Sequence, residues 1–153
     1  MGCVLMIAFG VYLVVLSHDV TVYPLDEARG ILYRIQTTSD PQVIHNDVMT
    51  MQDLLPQTGN PVWIFPTDST DFGLIQKNLG DMISTIDKIS NVPPDSAAFH
   101  TGMEVMHLEA SIMYQNLLDA TPFMYVSLSF VFAILICIIG SMGLAQVLTR
   151  KLR

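Results

Sequence analysis

Apolar and polar positions divide this chain into two uncharged ends and a patterned middle. Residues 122–148, PFMYVSLSFVFAILICIIGSMGLAQVL, run without a charge and are followed at once by Thr149, Arg150, Lys151, Leu152 and Arg153. About 20 apolar residues span a bilayer core, so this stretch predicts a tilted membrane helix. Its basic end belongs on the cytoplasmic side, where positive charge next to a span tends to stay. Residues 1–17, MGCVLMIAFGVYLVVLS, are also uncharged. They lack the basic first region and the small-x-small cleavage site of a signal peptide, so we read 1–23 as a first span. Two spans with the basic tail 149–153 inside place both termini in the cytoplasm and the segment between them outside.

The segment 24–121 repeats apolar residues at helical spacing. Leu25, Ala28, Leu32 and Ile35 share one face of a helix near 24–38, with Pro24 at its start and Asp26 and Glu27 in its first turn. Asp40-Pro41 opens the next, near 41–55, as capping residue and first helical residue; Ile44, Val48, Met51 and Leu55 form its stripe. A third helix near 70–90 carries Phe72, Ile75, Leu79, Met82, Ile86 and Ile89. A fourth, near 95–119, carries Phe99, Met103, Met106, Ala110, Met113 and Leu117, with Val105, Leu108 and Ile112 making a second apolar face. A helix apolar on two faces is covered on both. Asp119–Pro122 predicts a kink into the second span. Two spans flanking the same outer domain need an even number of long helices between them, and four fit. The expected fold is therefore an all-α membrane protein, with two transmembrane helices flanking an extracytoplasmic four-helix bundle.

The loop 56–69 interrupts this pattern. Val62-Trp63-Ile64-Phe65 lies between Pro61 and Pro66, too short and too proline-bound for a helix and without a partner strand. Trp63 and Phe65 are expected to plug one end of the bundle, or to meet another subunit or lipid headgroups.

Charge sharpens the division. All 14 acidic residues lie between Asp19 and Asp119, against Arg29, Arg34, Lys77 and Lys88, while the tail is basic; the whole chain is −7. An acidic outer domain excludes nucleic acid as a partner. The two cysteines, Cys3 and Cys137, both fall in the apolar ends, so no disulfide framework holds the middle.

Candidate chemistry is sparse. His100, Glu104 and His107 fall on one face of the fourth helix, and Glu104-x-x-His107 has the spacing used in di-iron bundles, but no second Glu-x-x-His exists. The trio, with His45, could hold a single Zn or Cu ion; the plainer expectation is a polar strip. No cofactor is required by the sequence. No metalloprotease, nucleophile-elbow or phosphate-loop motif occurs, and the uncharged stretches 1–17 and 122–148 hold no ionisable group beyond cysteine and tyrosine.

In the second span Ser129, Ala133, Cys137, Ser141 and Ala145 recur every four residues with Gly140 and Gly143 beside them. Such a small-residue face lets another helix approach closely, whether the first span or another protein. The function expected first is a non-catalytic accessory or structural subunit of a multisubunit integral membrane complex of respiratory, photosynthetic or monooxygenase type. Its partners would be other membrane subunits and lipid of the cytoplasmic membrane. A second reading is an extracytoplasmic sensor acting through lateral helix contacts, because span–bundle–span resembles chemoreceptor-type ectodomains, although the chain stops five residues after its second span. A third is a membrane-anchored metal-binding protein using His100, Glu104 and His107.

Overall fold

A computed structural model of the chain describes residues 2–62, 66–125 and 128–151. It is all-helical: α1 Gly2–Thr21, α2 Tyr23–Thr37, α3 Pro41–Leu54, α4 Phe72–Ser90, α5 Ala97–Met124 and α6 Leu128–Lys151, with one 3-10 turn at Asp68–Thr70 and no strand among the described residues. The chain divides into two compact units. One joins Met1–Tyr23 to Phe123–Arg153, and the other is Pro24–Pro122.

In the second unit α2–α5 form a helical bundle around the apolar stripes. Leu25, Leu32, Ile35, Ile44, Val48, Met51, Leu79, Ile86, Met106, Ala110 and Leu117 are fully enclosed. Methionine supplies much of this core through Met51, Met82, Met103, Met106 and Met113, and its unbranched side chain fills irregular gaps.

Local chemistry sets the helix ends. Asp40 is extended, and its carboxylate accepts from Gln42 N at 2.9 Å while Pro41 occupies the first helical position. This satisfies an amide that the helix itself leaves bare. Asp71 does the same for α4, accepting from Leu74 N at 3.1 Å. The far end of α3 is closed from outside: Gln76 Nε2, on α4, donates to the carbonyls of Gln52 and Leu55 at 3.0 Å.

The described part of the 56–69 loop is organised by Asn60. Its side chain donates to Thr67 O at 2.8 Å and accepts from Val62 N and Thr70 Oγ1 at 2.9 Å. Gly59, whose φ of 105° suits glycine, offers its carbonyl to Phe72 N at 2.8 Å. The loop is therefore tied to the start of α4. Trp63 and Phe65 lie outside the described residues.

Between helices, Arg34 forms a two-pronged pair with Asp47, one prong being Nε to Oδ2 at 2.7 Å. Asp47 is buried, and the pairing raises the Arg34 pKa above its ordinary value, by hydrogen bonding first and charge second. Ile89 of α4 presses on Gly102 of α5, where an added methyl group would lie 2.5 Å from Ile89 Cγ1. A larger residue there would force the Ile89 side chain to move.

The fourth bundle helix is longer than its periodicity suggests. Where the stripe fades near 119, α5 continues through Pro122 to Met124, and the break falls at Tyr125. Thr121 Oγ1 donates to Leu117 O at 2.7 Å inside this last turn, and a proline here removes one backbone hydrogen bond without ending the helix.

In the first unit α1 and α6 run antiparallel. Gly10 lies against Ala133 and Cys137: a methyl group on it would lie 3.1 Å from Cys137 N and 3.2 Å from Ala133 O, closer still to Cys137 Sγ. Gly140 lies in turn against Cys3, Met6 and Ile7. The seam follows Cys3, Ile7, Gly10, Val14 and Ser17 on α1 and Phe130, Ala133, Cys137, Gly140 and Leu144 on α6, the less exposed positions of each helix. Spacings alternate between three and four, as in left-handed helix pairs. The outer faces remain bare and large: Leu5, Phe9, Tyr12, Val20, Phe132, Ile139 and Met142 are all exposed. Both helices are long and apolar enough to cross a membrane, and only 11% and 20% of their most apolar windows are buried. A core helix of a soluble protein would be mostly covered.

Candidate docking surfaces and the cavity between α4 and α5

The small-residue face of α6 divides in two. Ala133 is fully buried and Cys137 half-buried against α1, the thiol lying 3.9 Å from Ile7 O. Ser129, Ser141 and Ala145 are exposed, and Ser141 Oγ donates to Cys137 O at 2.8 Å within its own helix. The helix α1 thus fills the middle of the face. A strict four-residue spacing drifts around a helix of 3.6 residues per turn, so five such residues do not stay on one contact line. The seam holds Ala133, Cys137 and Gly140 and leaves Ser141 and Ala145 on the outside.

At one end of the pair, His18, Tyr125 and Phe130 gather. The rings of His18 and Tyr125 are 6.4 Å apart and those of Tyr125 and Phe130 5.8 Å, and His18 Nδ1 lies 3.6 Å from Asp19 Oδ1. Amphipathic rings of this kind suit a headgroup layer.

The histidine strip of α5 does not converge. His100 and Glu104 are exposed. His107 is half-buried and donates from Nε2 to Thr38 O, 2.9 Å away, tying α5 to the carbonyl that follows α2. His45 sits instead across from Asp87, with Nε2 to Oδ1 at 3.6 Å. Among the described residues no group of three His, Cys, Asp or Glu side chains is arranged to hold a metal ion.

The geometry brings forward a pair that spacing alone does not mark. Asp81 of α4 and Glu109 of α5 line a cavity of about 220 Å³ with Asn78, Met82, Ile112, Met113 and Asn116. Glu109 Oε2 is buried with no hydrogen-bond partner. Burial, and then the nearby Asp81 charge, push the Glu109 carboxyl above its ordinary value. Once Ile89 meets Gly102 in an antiparallel pair, residues counted equally back on α4 and forward on α5 lie opposite, which sets 81 and 82 beside 110 and 109 and brings Asp81 and Glu109 to the same cavity.

Beside the cavity the second apolar face of α5 is uncovered: Val105, Leu108 and Ile112 are 40%, 61% and 54% exposed. Another cleft, about 720 Å³, lies between the α2–α3 and α4–α5 turns, lined by Thr38, Ser39, Asp40, Gln42, Ser90 and Phe99 among others. No protein-family model, curated protein or solved structure matches this chain.

Proposed function

We propose that this protein is a non-catalytic accessory subunit of an integral membrane complex, held in the bilayer by the α1–α6 pair and docking through the outer side of α6 and the outer face of α5. The observation that carries this is the division of the two apolar helices. Gly10, Ala133, Cys137 and Gly140 close the seam between them, while many of their large residues point outward (Ile134, Ile138 and Leu148 on α6 are about half exposed) and Ser141 and Ala145 stay exposed. Such a pair suits lipid, since a helix bonds its backbone groups internally except at its ends. Ser141 and Ala145 continue the line of Ile134 and Ile138 on α6 and give a second helix a close approach. The bundle supports the same reading: it has an enclosed apolar core and a bare apolar stripe on α5. In this arrangement the bundle faces the extracytoplasmic side and the tail around Arg150 faces the cytoplasm, where basic residues are retained.

Extraction of the full chain from its own membrane in mild detergent tests this. The expected result is a particle in which the chain is stoichiometric with at least one other integral membrane protein, and from which Ser141→Leu with Ala145→Leu releases it. A clean monomer or homodimer contradicts it.

The cleft at the α2–α3 and α4–α5 turns favours a second reading, as a sensor. Its polar and aromatic lining suits a small polar ligand, and a ligand that raised the melting temperature of the wild-type chain but not of Phe99→Ala would support it.

A further inference from the structure

We propose that the cavity between α4 and α5 is the anchor point of a protein interface, where a partner inserts a lysine or arginine between Asp81 and Glu109 and covers the Val105–Leu108–Ile112 stripe with apolar residues. This deepens the accessory-subunit reading and rests on it only in expecting a protein partner.

Four observations converge. First, cavity and stripe are one surface, since Ile112 belongs to both. Second, the cavity holds two carboxylates with no ion-pair partner among the described residues, one with a buried oxygen that no donor reaches. A buried acceptor left bare is destabilising, and a cation arriving with its own N–H donors removes that penalty. Third, size and walls fit a side chain. The volume is about 220 Å³, below the roughly 300 Å³ at which drug-sized pockets begin. Met82 and Met113 offer adaptable apolar walls to a methylene stem, and Asn78 and Asn116 add amide groups at its polar end.

Fourth, charge selects the occupant. Between residues 24 and 122 the basic residues are Arg29, Arg34, Lys77 and Lys88, against every acidic residue of the chain except Asp19. A second copy of so acidic a domain, or an anionic lipid surface, is repelled, whereas a basic partner is steered in. A free small cation would leave the stripe uncovered; a protein segment covers both. Buried anchors of this kind, ringed by apolar contacts, carry most of the affinity in protein interfaces.

The test uses the full chain in nanodiscs of zwitterionic lipid, with empty discs as the blank. The probes are two amphipathic helical peptides with the same leucine face and neutral flanks, one with a single central lysine and one with methionine in its place. The lysine peptide is expected to bind about tenfold more tightly. Asp81→Asn with Glu109→Gln should erase that preference, while Asp53→Asn with Asp68→Asn, which removes the same charge away from the cavity, should leave it. Leu108→Ser, at an exposed position, should weaken both peptides. The proposal is overturned if neither peptide binds, if they bind equally, if the control pair lowers the preference as much as the cavity pair, or if Leu108→Ser instead abolishes self-association of the chain. Peptide binding of the expected pattern alongside a chain that extracts as a monomer would retain this interface and remove the accessory-subunit reading.

Discussion

At the scale of single residues, two carboxylates in the bundle have opposite circumstances. Asp47 is buried but held by both prongs of the Arg34 guanidinium. Arg34→Met strands that carboxylate, and because the arginine is more than half exposed the penalty falls below that of a fully buried pair, at about 2 kcal/mol. Denaturant unfolding of the detergent-solubilised chain checks it. Glu109 has no such partner, and its carboxyl holds a proton to higher pH in the folded chain than in the unfolded one. A raised folded-state pKa contributes stability below the unfolded carboxyl range, and that stability is lost as pH rises through the raised value. Glu109→Gln is therefore expected to melt at a higher temperature than the wild type at neutral pH, with the difference vanishing in acid. Melting curves across pH check the sign. Neither circumstance is written in residue type. Asp47 looks like any surface aspartate of a helix, and Glu109 gains its character only from the α4–α5 register.

At the scale of elements, caps and stripes were legible and contact lines were not. Asp40-Pro41 marks the start of α3 because a bare amide and a fixed φ are both local requirements. The stripe of α4 marks its buried face because Phe72, Ile75, Leu79, Met82, Ile86 and Ile89 all turn out buried. Pro122 does not end its helix: a proline removes a hydrogen bond locally, but the turn around Thr121 and Leu117 carries α5 on to Met124. On α6 the four-residue repeat of small side chains was visible, but which of them face α1 depends on helical drift. The resulting seam predicts that Gly10→Val forces α1 and α6 apart, because Cys137 N and Ala133 O are backbone atoms and cannot yield. The expected loss is about 1–3 kcal/mol of pairing. It is read as a fall in disulfide yield between Cys3 and a cysteine introduced by Gly143→Cys, since a methyl group on Gly143 would lie 2.9 Å from Cys3 Sγ.

At the scale of the whole molecule, the division into two apolar helices and an acidic bundle follows from hydropathy and charge, which are sums over many residues and survive local error. The helix pair, the bundle and its core were accessible from the sequence on those terms. The cavity at Asp81 and Glu109 was not, because it exists only where two helices meet. Docking depends on one placement, with α1 and α6 across the bilayer and the bundle outside. Cysteine labelling in whole cells tests that most directly, in a chain carrying Cys3→Ala and Cys137→Ala and a single new cysteine. With a membrane-impermeant maleimide, Asp53→Cys is predicted to label in intact cells, and Thr149→Cys, in the basic tail, only after permeabilisation. Equal labelling of both positions in intact cells, or the reverse pattern, would contradict the account.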